Sequence, residues 1–151
     1  MRNKLGQRED TQAGFTLIEL LVVLVILSIL VALVAPRLMG RTDDARVTEA
    51  KVQIRNLETA LKLFKLDSGF YPTTEQGLEA LVTKPVTGKE PKSYRSGGYL
   101  EQPRIPLDPW GNPYIYLSPG LHYEYDIISL GADGREGGKE YDADIRNWDM
   151  Q

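Results

Sequence analysis

The sequence contains no cysteine, and His122 is the only histidine among its 151 residues. The absence of cysteine excludes a disulfide framework, thiolate metal ligands and a cysteine nucleophile. A single imidazole disfavours a histidine-based zinc site and a catalytic triad, so His122 is interpreted as an ordinary surface or strand residue. The sequence also carries no Walker-type phosphate loop and no set of nucleophile, base and orienting group. We therefore do not predict an enzyme.

The sequence also has little excess of either charge. Its net charge is −3 at neutral pH, and the basic residues are dispersed along the chain. This pattern predicts neither a nucleic-acid partner nor a polybasic membrane patch. The length allows one small domain in addition to an apolar segment.

Polar side chains are almost absent between Leu20 and Ala35, where Ser28 is the only one. Extended back to Phe15, the apolar run has 21 residues. As a helix it would be about 31 Å long, which matches the bilayer core of about 30 Å. The preceding residues 1–14 form a short polar segment whose cations, by the positive-inside rule, stay in the cytoplasm: Arg2, Lys4 and Arg8. We therefore predict a single transmembrane helix at residues 15–35, with the remainder of the chain outside.

Two alternatives for this apolar segment fit less well. A secretory signal would end at a small-x-small cleavage site, whereas this run ends in Ala35-Pro36-Arg37. A plain uncleaved anchor leaves Glu19 unexplained, because a carboxylate at the bilayer centre costs about 2.5 to 3.5 kcal/mol. Cleavage between Gly14 and Phe15 would place a new α-amine four residues before Glu19, on the same helical face. Pairing of amine and acid between neighbouring subunits would set the axial register of a helix bundle.

The segment Gly14-Phe15-Thr16-Leu17-Ile18-Glu19 resembles the processing site of type IV pilins and type II secretion pseudopilins. The resemblance implies that a membrane peptidase removes residues 1–14 as a leader and methylates the amine of Phe15. Glycine at position 14 would be needed because a bulky side chain would obstruct the peptidase. Glu19 is then predicted to act in assembly.

Beyond Pro36, apolar residues recur at alternating steps of three and four, which predicts an amphipathic stalk helix at residues 36–66. Pro36 predicts local melting or a kink near residues 32–36. The charged residues around the stripe are interpreted as a solvated face, with salt bridges between subunits as the minority alternative. The apolar stripe consists of Val47, Ala50, Ile54, Leu57, Leu61 and Phe64.

Residues 67–151 are predicted to form a globular head that makes the fold α+β. Gly69 is predicted to end the stalk helix in a left-handed C-terminal cap. Thr73 and Gln76 have the spacing of a capping box, which predicts the start of a short helix. Residues 83–113 contain too much Gly and Pro for a long regular element, and the sequence leaves open whether they are ordered. The turn at residues 108–113 is interpreted as purely structural. Strands at 114–117 and 123–130 are predicted to form an antiparallel hairpin.

The C-terminal segment from Glu124 to Gln151 is strongly acidic, with eight acidic against three basic residues. Glycines between Leu130 and Asp144 would let carbonyls and carboxylates converge, and oxygen ligands without histidine or thiolate favour calcium. The spacing does not match an EF-hand. A solvated acidic loop remains the alternative from charge alone.

The resemblance to the pseudopilins extends from Gly14 to Trp148 and includes the turn at residues 108–114 and the acidic loop. In that family calcium staples the C-terminal region. The resemblance implies ligation by the side chains of Asp133, Asp142 and Asp144, with the Leu130 carbonyl and Glu140 as further contributors.

The function implied by this resemblance is that of a major structural subunit of a type II secretion pseudopilus, a periplasmic filament that drives protein export. Its implied partners are further copies of itself, minor pseudopilins, the prepilin peptidase and methyltransferase, and an inner-membrane assembly platform. The expected location is the bacterial inner membrane, with the head in the periplasm. A type IV pilin for adhesion, motility or DNA uptake is the first alternative. A membrane-anchored, calcium-dependent hydrolase using Asp133 is the second.

Overall fold

The computed structural model describes residues 14–150, except for the side chains of residues 33–41. These residues belong to two compact units, one ending at Gly40 and the other beginning at Arg41. A long helix, α1 (Leu17–Ser68), contributes residues to both units, and the second unit also contains a three-stranded sheet. The leader proposed for residues 1–14 lies outside the described residues except for Gly14.

In the first unit, α1 begins directly after Thr16, whose side chain acts as its N-cap. The Thr16 Oγ1 accepts a hydrogen bond from the amide of Glu19 at 3.3 Å, which satisfies one of the free donors of the first turn. The helical assignment then continues without a break through residues 32–36. The predicted melting near Pro36 is therefore wrong, because proline removes only one backbone donor, whereas the kink given as its alternative stays a prediction.

In the second unit, α1 buries the apolar stripe that its spacing predicted. All six stripe residues except the partly buried Val47 are at most 1% exposed. The helix ends at a glycine cap: Gly69 has a φ of 82° and its amide donates to the Lys65 carbonyl at 2.7 Å. Glycine adopts this left-handed conformation without a steric penalty.

The segment after α1 is ordered by side-chain caps rather than by a regular helix. Thr73 and Gln76 form the predicted capping box, with reciprocal bonds of 3.1 and 3.2 Å between side chain and backbone. Only a short 3₁₀ helix, Leu78–Leu81, follows, and it buries Leu78 and Leu81 as expected. Residues 83–113 contain no helix or strand, but they pack on the core through Tyr94 and Tyr99.

The sheet has the order β1-β2-β3, with β1 at Ile115–Leu117, β2 at Asp126–Ser129 and β3 at Ile145–Arg146. The antiparallel pairing of β1 with β2 confirms the predicted hairpin. The third strand also pairs antiparallel with β2 and was not predicted, because two residues are too few to show a period. Two further 3₁₀ helices, Glu140–Asp142 and Asn147–Asp149, flank β3.

Candidate assembly and metal sites

Gly14 precedes α1 in an open position. A Cβ atom built on it meets no described atom within 4 Å, and its backbone does not require a left-handed conformation. The described part of the chain therefore gives no steric reason for glycine at this position. A requirement for glycine would have to come from a molecule that acts on the chain.

Phe15 and Glu19 are also accessible from outside. The Phe15 side chain is 79% exposed, and Glu19 is exposed as well. Among the described residues, no basic side chain forms an ion pair with the Glu19 carboxylate. Thr16 satisfies the Glu19 backbone amide, whereas the described residues supply no cation for the Glu19 carboxylate.

The first unit of α1 exposes aliphatic side chains on all sides. Ser28, the single polar residue of the run, donates its hydroxyl to the Leu24 carbonyl at 2.7 Å and so needs no external partner. In the stretch of chain that the structure describes, no helix offers a sufficiently long apolar window to pass through a bilayer. The exposed aliphatic residues between Leu17 and Val31 are Leu17, Ile18, Leu20, Leu21, Val22, Val23, Leu24, Val25, Ile26, Leu27, Ile29, Leu30 and Val31.

The predicted metal ligands lie in one glycine-rich loop between β2 and β3. The Asp144 side chain is buried, at 4% exposure, and its Oδ2 accepts bonds from the Gly137 amide at 3.1 Å and from Arg146 at 2.8 Å. Its other oxygen, Oδ1, is buried without a hydrogen-bond partner. Leaving a buried carboxylate oxygen unsatisfied is costly, so a water molecule or a cation bound at this atom would stabilise the loop.

The other predicted ligands are more exposed than Asp144. Asp133 Oδ1 accepts a 3.0 Å hydrogen bond from the Arg135 amide. Asp142 and Glu140 are exposed, whereas Leu130 is partly buried. Within residues 14–150, no three acidic or imidazole side chains gather closely enough to form a metal-binding group by themselves.

Two glycines hold the loop in its tight path. Gly131 and Gly138 have φ values of 65° and 81°, and a Cβ on either would collide with the backbone of Asp142. Among the described residues, Glu140 is the one non-glycine residue with a positive φ, which is 56°. An L-residue held there carries strain of about 1 to 3 kcal/mol. A donor set of carboxylates and carbonyls with one buried, unsatisfied oxygen fits a hard cation such as calcium.

A buried carboxylate in the sheet, Asp126, was not singled out from the sequence. It is 1% exposed and accepts bonds from three successive amides, those of Leu121, His122 and Tyr123, at 2.7 to 3.2 Å. The His122 ring also lies 3.1 Å from Asp126 and stacks on Trp148 with ring centroids 3.9 Å apart. This cluster closes the turn between β1 and β2, which makes its role structural.

Family models match nearly the whole chain. A model described as type II secretion system protein G matches residues 37–148, and one described as the prokaryotic N-terminal methylation motif matches residues 10–35. The boundary between these matches lies close to the boundary between the stalk and the anchor predicted from sequence.

Individual relatives agree with the family models. The type II secretion system core protein G of Pseudomonas aeruginosa is 56% identical over 91% of this chain and 96% of its own length. The protein of the same name from Vibrio cholerae is 55% identical over 93% of this chain and 94% of its own. The crystal structure of the major pseudopilin from the type 2 secretion system of enterohaemorrhagic Escherichia coli is 43% identical. It superposes with a TM-score of 0.65 and covers 76% of this chain and 96% of that one.

Proposed function

Because this chain belongs to the type II secretion system protein G family, we propose that it is the major structural subunit of a pseudopilus. In this role, copies of the chain polymerise through their N-terminal helices into a periplasmic filament that drives export of folded proteins. The observation that carries the proposal is the exposed Glu19 at the start of an exposed apolar helix, where no ion-pair partner for its carboxylate is found among the described residues. The role is structural, and it involves no catalytic step by this protein.

Processing is the first part of the proposed function. A prepilin peptidase cuts between Gly14 and Phe15 and methylates Phe15, which leaves a membrane-anchored subunit with its head in the periplasm. The methylation-motif match and the open surroundings of Gly14 support this step. The mature amine then lies four residues before Glu19, within reach of the carboxylate of a neighbouring copy. Minor pseudopilins and an inner-membrane assembly platform are the further partners proposed.

The test is to express the full chain with the rest of its secretion system. The wild-type chain is expected to give a mass that begins at methylated Phe15, and Gly14→Lys is expected to keep residues 1–14 because its long side chain obstructs the peptidase. Glu19→Ala is expected to be cut normally but to lose filament yield about tenfold or more, since about 1.4 kcal/mol per contact is tenfold in an equilibrium constant.

The matched control is Glu75→Ala, which removes an exposed carboxylate from the head. It is expected to leave both cleavage and filament yield unchanged. A wild-type protein that retains its first fourteen residues and supports secretion as a monomer would contradict the proposal.

We further propose that calcium binds the loop between β2 and β3, held by the side chains of Asp133, Asp142 and Asp144 and the Leu130 carbonyl, with Glu140 as a further donor. Bound calcium would supply the positive charge that buried Asp144 Oδ1 lacks and would tie the C-terminal segment to the sheet. With no cysteine in the chain, this metal takes the place of a covalent staple.

Calcium at about 100 times its Kd is expected to raise the melting temperature of the full chain in detergent by about 10 °C. A chelator should reverse the shift, and Asp144→Asn should abolish it because the substitution removes the buried charge. Glu136→Gln removes a charge from the same loop without touching the proposed ligand set, so it should keep the shift. Equal melting of the wild type with calcium and with chelator would reject the site.

The type IV pilus alternative is less well supported than a secretion filament. The protein G family model covers the whole stalk and head, residues 37–148, rather than the N-terminal motif alone. The N-terminal motif belongs to both classes, so the head decides between them.

A further inference from the structure

The turn at residues 108–112 is closed by hydrogen bonds among its own residues, and it also contacts the loop between β2 and β3 in which calcium is proposed to bind. The Asp108 amide donates to the Asn112 carbonyl at 2.8 Å, and the Asn112 amide donates back to Asp108 Oδ1, also at 2.8 Å. The amide of Trp110 donates to the same oxygen at 3.1 Å. Asp108 is 4% exposed, so these bonds form a rigid turn rather than a solvated one.

This turn holds the residues on either side of Leu130. The hydroxyl of Ser129 donates to Asp108 Oδ2 at 2.7 Å, and both side chains are buried. On the other side, the Asn112 side-chain amide donates to the Gly131 carbonyl at 3.2 Å. Leu130, the proposed carbonyl ligand, therefore lies between two anchored neighbours.

Asn112 also limits the path of the loop beyond Leu130. A Cβ atom on Gly134 would lie only 3.2 Å from Asn112 Oδ1, so the backbone next to Asp133 passes close to the asparagine. Gly134 has a φ of 65°, a conformation that favours glycine. One side chain thus contacts the chain beside two of the proposed ligands.

We propose that Asn112 is a positioning residue for the cation site, which fixes the Leu130 carbonyl and Asp133 for binding without touching the cation itself. This inference rests on the calcium site of the proposed function. Groups that orient metal ligands from outside the coordination sphere change affinity by about 10- to 100-fold when they are removed. The Asp133 side chain itself is exposed and accepts a hydrogen bond from the Arg135 amide within its own turn.

The test compares calcium affinity with calcium-free stability in the full chain, purified in detergent and titrated with calcium ions by calorimetry. Asn112→Ala is expected to bind calcium about tenfold more weakly or worse. Its calcium-free melting temperature is expected to fall by only about 2 to 6 °C, the effect of one lost hydrogen bond. Asn56→Ala, the same substitution on an exposed face of α1, is the matched control and should leave the affinity unchanged.

If Asn112→Ala does not fold, Asn112→Asp preserves the shape of the side chain and removes the same donor. Its added negative charge by itself favours a cation, so weaker binding by this variant supports positioning, whereas equal or tighter binding overturns it. Unchanged affinity in folded Asn112→Ala, with calcium still bound by the wild type, overturns the positioning role alone. A wild type that binds no calcium overturns both this role and the proposed metal site.

Discussion

At the scale of single residues, the buried carboxylate of Asp126 stabilises the turn between β1 and β2 by accepting hydrogen bonds from three backbone amides. Burial raises the pKa of its carboxyl, but hydrogen bonds from the His122 ring and from three backbone amides outweigh that effect, so the pKa is lowered overall. Hydrogen bonds to an ionised acceptor are stronger than neutral ones. The ionised form of Asp126 therefore contributes to folding.

We predict that Asp126→Asn lowers the free energy of unfolding by about 1 to 3 kcal/mol at pH 7, because an amide nitrogen would face backbone donors. Since the folded pKa is depressed, the contribution of Asp126 is present above its unfolded pKa of about 3.9 and is lost as pH falls through the folded pKa. Chemical unfolding across acid pH would measure both effects.

The control for this prediction is Glu101→Gln, which neutralises an exposed carboxylate of the same unit. It should change stability by less than about 0.5 kcal/mol. An Asp126→Asn variant that keeps the acid sensitivity of the wild type would show that other groups are responsible.

His122 is a surface residue, as predicted, since half of its side chain is exposed. The burial of Asp126 was not predicted, because an acid inside a predicted strand gives no sign of whether it is buried or solvated. Asp108 and Asn112 were predicted only as turn residues. Their hydrogen bonds to Ser129 and Gly131, at the start of the loop between β2 and β3, join residues about 20 positions apart, and a pattern in one sequence does not reveal such contacts.

At the scale of elements, the amphipathic part of α1 was the most predictable. Its stripe repeats over five turns, and each of its members lies on the packed face. Phe64 is the member with the most aromatic neighbours: its ring packs edge-on against Phe70, Tyr94 and Tyr99 at centroid distances of 5.4 to 6.4 Å. These contacts join α1 to the irregular segment 83–113.

We predict that Phe64→Ala lowers the free energy of unfolding by about 3 to 5 kcal/mol, because it empties a fully buried site and removes these ring contacts. Leu66→Ala is the matched control on the same helix, since Leu66 is 80% exposed. Its effect should stay within about 0.5 kcal/mol. Urea unfolding of both variants measures the difference, and similar losses would show that the aromatic cluster does not stabilise the head.

The irregular segment and β3 were the least predictable elements. The fold of residues 83–113 depends on contacts such as the bond from the Tyr99 amide to the Leu81 carbonyl, 2.7 Å long. The neighbouring Gly98 lies so close to the Leu81 backbone that a Cβ atom built on Gly98 would be only 2.6 Å from the Leu81 carbonyl oxygen. Such tertiary contacts have no periodic signal, whereas caps and hairpins have local ones.

At the scale of the whole molecule, the family and the fold class followed from the sequence. They were predictable because an apolar run, a 3.6-residue stripe and a processing motif are all local patterns. The calcium site remains a proposal: its residues share one loop, but only Asp144 is buried with an unsatisfied oxygen. A ligand set depends on how a loop closes, which residue types alone do not fix.

In the filament, the apolar helix of the first unit and the folded head of the second unit would have different roles. The described part of the first unit offers an exposed acid, Glu19, and aliphatic surface on all sides, and the second unit offers a folded head with its own core. Hydrophobic burial is non-directional, so the apolar surface supplies affinity between copies without choosing their offset. A charged pair at Glu19 would fix the axial offset between neighbouring copies, because displacement along the axis would separate the charges.

The hydroxyl of Ser28 is bonded to its own helix, and the other side chains from Leu20 to Val31 are aliphatic. This stretch therefore offers a neighbouring copy no free side-chain donor, so two copies packed along it could slide past one another without breaking a hydrogen bond.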